Sequence, residues 1–238
     1  GAGTSTAAVA FGGASSPSAM TEEFNTGVPV GAWSTVNSMN TPRSSLGSAG
    51  ATSSAALGFG GQQPSLTGVT ESYNGTNWTE VNDMNTARNG FGSNGTQTSA
   101  LAYAQDDPAR SGKTESWNGT NWTEVNDLNQ NIRQCGGLGL NNTSALAYGG
   151  ESPSVDQLAT TELWNGSNWT EVNDLNTARL NLTGTGIVTA GLAAFGRTVA
   201  PSTVDKKVTE QWNGTNWTEV NDANTARYSV GASKLNYA

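Results

Sequence analysis

Apolar positions in this chain come in short runs, each broken by glycine, asparagine or a polar cluster. Thr98-Ser-Ala-Leu-Ala-Tyr103 and Thr143-Ser-Ala-Leu-Ala-Tyr148 are two of them. No window sustains a 3.6-residue period, because glycines and β-branched residues interrupt every candidate helix face. A small-residue, glycine-rich segment such as Asn89-Gly-Phe-Gly-Ser93 precedes each run. After a variable polar loop come Thr114-Glu-Ser-Trp117, the tetrad Asn118-Gly-Thr-Asn121, and Trp122-Thr-Glu-Val-Asn126. Asn-Gly between two β-rich segments predicts a tight hairpin, since both residues tolerate the positive φ that such a turn needs. The pattern therefore predicts four short strands per unit and no helix.

The unit repeats. Glu-x-x-Asn-Gly-Thr-Asn-Trp-Thr-Glu-Val-Asn-Asp starts at Glu71, Glu115 and Glu210, with Ser167 replacing the threonine in the copy from Glu162 and a degenerate copy from Glu23. The tryptophans that open the last strand, Trp33, Trp78, Trp122, Trp169 and Trp217, are spaced by 45, 44, 47 and 48 residues. The arginines that close each unit, Arg43, Arg88, Arg133, Arg179 and Arg227, are spaced by 45, 45, 46 and 48. Four strands in such a repeat are the signature of a propeller blade, with a β-solenoid as the alternative. The first unit lacks its own arginine and first-strand segment, while Arg227-Tyr-Ser-Val-Gly-Ala-Ser233 has no unit after it. This split suits a closed ring whose C-terminus supplies the inner strand of blade one. The expected fold is all-β: one five-bladed propeller, four antiparallel strands per blade, closed by pairing a C-terminal inner strand with the N-terminal strands. Blade one takes 228–238 plus 1–40, and the others take 43–85, 88–129, 133–176 and 179–224.

Composition narrows the function. The 238 residues contain no histidine, one cysteine (Cys135), and a net charge of -8. Histidine-dependent triads and metal sites are excluded, as are an intramolecular disulfide and a cysteine-cluster zinc site. The acidic balance disfavours nucleic acid. No stretch reaches the roughly 18 to 20 apolar residues of a membrane helix, so membrane insertion is not expected. The start Gly1-Ala2-Gly3, without methionine, reads as a processed, excised or constructed end.

Only 34% of positions are hydrophobic. Alanines such as Ala100 and Ala102 suit inner strands that converge on an axis. The five tryptophans are expected between blades, with ligand stacking as the alternative. The five arginines are expected to pair with Glu22 or Glu23, Glu71, Glu115, Glu162 and Glu210, the alternative being an anion-capturing ring at the channel mouth.

Here the unit resembles a kelch repeat. Gly12-Gly13, Gly60-Gly61 and Gly149-Gly150 match its diglycine, and Phe24, Tyr73, Trp117, Trp164 and Trp212 its third-strand aromatic. Two blades depart from it, with Ala104-Gln105 and Gly196-Arg197 at the diglycine. The wording of the repeat is also similar to repeats in virion-associated proteins of marine bacteriophages. That resemblance implies a virion or extracellular surface location, with other virion proteins or a host surface glycan or protein as partners.

The repeated carboxylates, Glu80 and Asp83, Glu124 and Asp127, Glu171 and Asp174, Glu219 and Asp222, could suggest paired acid catalysis. Four identical copies on outer strands fit a solvated blade edge better, so neither an enzyme nor a bound cofactor or metal is expected. The loops between strands two and three (14–20, 62–69, 105–113, 151–160 and 197–207) carry the blade-specific chemistry. They supply the candidate partner-binding residues Asp106, Asp107, Arg110, Lys113, Arg197, Asp205, Lys206 and Lys207. Drift in unconstrained loops is the competing explanation. The reading is a non-enzymatic structural or binding module. The alternative is a multivalent lectin-type propeller whose repeats give several equivalent, individually weak sites.

Overall fold

A computed structural model describes residues 1–3, 6–13, 18–25, 32–106 and 109–231. They form five four-stranded antiparallel sheets in a ring: an all-β, five-bladed propeller. Each sheet runs in chain order from axis to rim, as in blade three with Gly92–Thr96, Ser99–Gln105, Ser111–Trp117 and Trp122–Val125. The inner strands of consecutive blades pack on one another around the axis.

The hairpins form as the Asn-Gly chemistry requires, with a refinement. Only the glycine takes the positive φ, +93° at Gly119. Asn118 instead accepts with its side-chain oxygen from the backbone N–H groups of Thr120 and Asn121, both at 2.9 Å. Such a local side-chain turn fixes the hairpin without any tertiary contact. The neighbouring asparagines join blades. Asn82, Asn126 and Asn173 each donate to the hairpin asparagine of the next blade, Asn121, Asn168 and Asn216, at 2.8, 2.8 and 2.7 Å.

Between blades, four of the five tryptophans behave as expected. Trp78, Trp122, Trp169 and Trp217 are each 5% exposed. Their indole N–H groups donate to Thr21, Thr70, Thr114 and Thr161 of the preceding blade at 3.0 to 3.1 Å. Each ring also meets an aromatic of that blade: Phe11, Phe59, Tyr103 and Tyr148, at centroid distances of 4.8 to 5.0 Å. Trp33 departs from this pattern and is 52% exposed. The register Thr183↔Ala194 matches Gly92↔Tyr103, so blade five offers Ala194 where an aromatic should face Trp33. A groove of about 320 Å³ opens there, lined by Ala8, Ala10, Phe11 and Trp33. The seam between blades five and one is the thin place in the ring.

The closure also differs from the expectation. The inner strand of blade one is Ala2–Gly3, from the N-terminus, in the register Ala2↔Val9 and Gly3↔Ala8. That register repeats Asn94↔Leu101 and Gly95↔Ala100, so the first residues already fill the inner-strand positions. The C-terminal segment through Gly231 supplies the lead-in before that strand. Arg227 bridges to Lys206, and the Ser229 N–H donates to the Asn181 carbonyl at 3.0 Å. Gly1 and Gly231 line one axial cavity, so the first residue and the last described one approach each other near the axis. Residues 232–238, part of the expected C-terminal strand, lie outside the described residues.

Near the axis the interfaces carry a size exchange. Tyr103 lies over Gly92 of its own blade, and its hydroxyl sits where a Cβ on Gly137 of the next blade would be, 1.9 Å away. Tyr148 stands in the same relation to Gly184, at 1.6 Å. At the two equivalent earlier interfaces the aromatics are Phe11 and Phe59, and the facing residues are Ser48 and Ser93. Each of these four interfaces thus holds one hydroxyl, donated by either partner. Gly137→Ser alone should overpack its interface and cost roughly 1–3 kcal/mol. Tyr103→Phe added to it should recover most of that loss. Urea unfolding of the two single variants and the double variant measures the coupling, and purely additive losses would refute the exchange.

Candidate functional site

The strand order places the hairpins and the first-to-second-strand turns on one face. The second-to-third-strand loops and the arginine-bearing linkers lie on the other. Loop and linker interlock there by backbone pairing: Ser44 with Gln62, Arg133 with Glu151, Leu180 with Arg197.

Beneath these pairs lies a repeated buried carboxylate. Glu71, Glu115, Glu162 and Glu210 are each 0 to 4% exposed. One oxygen of each accepts the backbone N–H of the linker asparagine, Asn40, Asn85, Asn129 or Asn176, at 2.6 to 2.9 Å. In three blades the other oxygen takes a guanidinium. Arg43 meets Glu71 at 2.8 Å, and Arg88–Glu115 and Arg179–Glu210 repeat the contact, all with fully buried side chains. Burial pulls the guanidinium of Arg88 below its ordinary pKa, and Glu115 beside it opposes that fall.

Arg133 and Arg227 do not join the set. The linker of blade four is one residue longer, Asn129-Gln-Asn-Ile-Arg133 against Asn85-Thr-Ala-Arg88. Gln105 N–H donates to the Ile132 carbonyl as Gly61 N–H does to that of Arg88, so Ile132 occupies the arginine position. Arg133, one residue on, turns to the loop face. Glu162 keeps Asn129, whose side-chain amide also donates at 2.7 Å, but has no guanidinium. Burial holds its carboxyl above the usual range, against the lowering effect of the Asn129 and Gln130 amides, and Glu171 raises it further. Arg227 is exposed, and no ion pair among the described residues joins it to Glu22 or Glu23. Its place is beside the open seam.

The displaced Arg133 enters a surface network with most of the charges of its loops. It donates to Asp106 at 2.7 Å and to Glu151 at 2.8 Å, and Arg110 donates to Glu151 and to the Ser152 carbonyl. Asp106, Arg110, Arg133 and Glu151 thus clamp blade three to blade four. Arg197 pairs with Asp205 at 2.8 Å and lies 3.4 Å from the ring centre of Tyr228. Lys113 sits on a strand, not a loop, and reaches Glu124 at 3.4 Å. Lys207 reaches Asp222 at 3.5 Å, and Lys206 is half-buried beside Arg227. Asp107 lies outside the described residues. Charge alone therefore identified groups that mostly bind one another.

The axial mouth at the centre of this face was not legible as a site. Ser45, Gly90, Gln134, Asn181 and Ser229, one per blade, share a left-handed backbone with φ between +51° and +58°. The N–H of Gln134, Asn181 and Ser229 each donates to the carbonyl of the preceding member at 2.8, 2.9 and 3.0 Å. These five residues rim a cavity of about 270 Å³. Leu46, Phe91, Cys135, Leu182 and Val230 wall it and continue into a second cavity of about 230 Å³ along the axis. The sequence signal was the polar or glycine residue two places after each linker arginine, shifted by one in blade four. No group of three acidic, histidine or cysteine side chains among the described residues is placed to hold a metal ion.

No protein-family model matches the chain, and no curated protein sequence is similar to it. Among solved structures it is similar to one titled "Structure of YjhT", with a TM-score of 0.73 and 10% identity over 91% of this chain and 81% of that one. A likeness at that identity shows the fold alone. The propeller fold suits a binding module.

The two kinds of buried glutamate give opposite tests. Glu115→Gln leaves Arg88 buried without its counter-charge and should cost about 3–5 kcal/mol at neutral pH. Glu162 has a raised folded pKa, so its stabilising contribution is complete below the ordinary carboxyl range and is lost as pH rises through the folded value. Glu162→Gln should therefore gain on the wild type as pH rises from about 4 to 8. Melting curves across that range check both, and a pH-independent difference for Glu162→Gln would refute the assignment.

Proposed function

We propose that this chain is a non-enzymatic binding module carried on a phage particle, as a decoration, tail or fibre component, and that it engages its partner through the variable-loop face. The observation that carries the binding reading is the contrast between the two faces. In blades two to five the hairpin face repeats one hydrogen-bonded turn, held by Asn118 and its equivalents. The loop face differs in every blade and surrounds an axial mouth built from all five. Rigid scaffolds with variable loops are where recognition concentrates. The virion placement rests on the wording of the repeat alone, which resembles that of phage particle proteins. Partners of this reading are other virion proteins or a host surface glycan or protein.

The non-enzymatic reading is supported by how the carboxylates are used. Glu71, Glu115 and Glu210 pair with arginines, and Asp83, Asp127 and Asp174 accept strand N–H groups at 3.1 to 3.2 Å. Glu80, Glu124, Glu171 and Glu219 are exposed on the outer edge at equivalent strand positions, and of the four only Glu124 has an ion-pair partner among the described residues, Lys113. The multivalent lectin alternative loses its repeated stacking platforms, because four of the five fourth-strand tryptophans are buried with their N–H groups bonded.

Glu124→Gln with Asp127→Asn should leave binding unchanged and stability within about 0.5 kcal/mol per exposed substitution. A glycosidase rate abolished by that pair would overturn the non-enzymatic reading. Lys206→Ala with Lys207→Ala should weaken attachment of the labelled propeller to phage particles or bacterial cells at unchanged melting temperature, whereas Thr120→Ala on the hairpin face should not. The reverse result would assign recognition to the wrong face. Antibodies against the propeller should label intact phage particles in electron micrographs, and unlabelled particles would exclude the virion placement.

A further inference from the structure

The axial mouth has a chemistry of its own, distinct from the charged loops around it. No charged side chain among the described residues lines it. An ion drawn into it would lose hydration without gaining a counter-charge, so the cavity selects against charged ligands. Its wall is apolar and includes one aromatic ring, Phe91, while its rim is polar. At the rim Asn181 Nδ2 donates to Gln134 Oε1 at 3.0 Å. The remaining Gln134 Nε2 and Asn181 Oδ1 have no partner among the described residues. Side-chain amides each carry both a donor and an acceptor, so the pair offers one of each to a ligand whichever way the amides are turned. The hydroxyls of Ser45 and Ser229 stand at the same rim.

We propose that this pocket binds one neutral, hexose-sized sugar unit, with its C–H face toward Phe91 and its hydroxyls at the Gln134–Asn181 pair. A sugar ring is the neutral ligand that presents an apolar face and a fringe of paired donors and acceptors together. The volume of about 270 Å³ lies just under the lower end of the range of small-molecule sites and admits a single ring. The backbone ring of left-handed residues makes the rim stiff, so little ordering is required on binding. This inference rests on the reading of the chain as a binding module and specifies the chemistry at the centre of its recognition face. It differs from a multivalent lectin in stoichiometry, because the five blades together make one pocket.

Glycine is the natural substitution at the rim, since Gly90 already occupies the blade-three position in the same backbone conformation. Purified propeller is titrated with free glucose, galactose, mannose and N-acetylglucosamine, and with glucuronic acid as the charged counterpart, by calorimetry and ligand-observed NMR. The expected result is one neutral sugar per chain, no glucuronate binding, and at least a tenfold loss of affinity in Gln134→Gly with Asn181→Gly at unchanged melting. Phe91→Leu should weaken binding while keeping the wall apolar. Binding of none of the neutral sugars, of several per chain, or equally well by the rim variant would overturn the proposal. In the first case, attachment to particles or cells that still depends on Lys206 and Lys207 leaves the binding-module reading intact. Loss of that dependence as well would bring both down.

Discussion

The ring depends on a carboxylate placed where water cannot reach it. In blades two to five a glutamate on the third strand is buried under the linker and accepts its asparagine N–H, and in three blades also a guanidinium. One side chain thus fixes the path of the incoming chain, the start of the inner strand and the loop above it. Such a group is costly to substitute in part. Removing either partner strands a buried charge, whereas replacing both by apolar groups can be neutral. Blade four has lost only one partner: an extra linker residue puts Ile132 at the arginine position, and Glu162, left without a guanidinium, holds its proton more tightly.

The architecture was readable because the information that fixes it is local. Asn-Gly turns, the period of the tryptophans and the glycine-rich inner segments each act within a few residues of themselves. The arginine set was readable only as far as equal spacing implied equal position. The insertion at 130–131 moved Arg133 out of the buried arginine position, and one added residue is invisible when the loops around it vary by more. Trp33 misled for a different reason. It falls on the same period as its fellows, and what exposes it is Ala194 in another blade. At the diglycine of blade five the structural equivalents are Phe195-Gly196, with φ of +64° and +100°, one residue earlier than the alignment of glycines suggests.

The candidate site was the least legible part. Charged loop residues drew attention because they vary, yet Asp106, Arg110, Arg133 and Glu151 are occupied in clamping two blades. The axial mouth is assembled from five residues of unlike chemistry, serine, glycine, glutamine, asparagine and serine. They are linked only by a shared backbone conformation, which a glance at residue type does not reveal. Their common role appears when the linkers are stacked in space around one axis.

The hydroxyl exchange near that axis has a consequence for how such a ring can change. Blades that read almost identically along their outer strands are not interchangeable at the centre. A blade ending its second strand in tyrosine fits only a successor with glycine at the facing position, and one ending in phenylalanine fits a successor with serine. Blade three followed by a copy of itself would press the Tyr103 hydroxyl into Ser93. Blade two followed by blade four would leave a void beside Phe59. The interfaces therefore act as an address code for neighbours: they fix the order of the blades, and they penalise duplication or shuffling of whole units even when the repeat itself is nearly perfect.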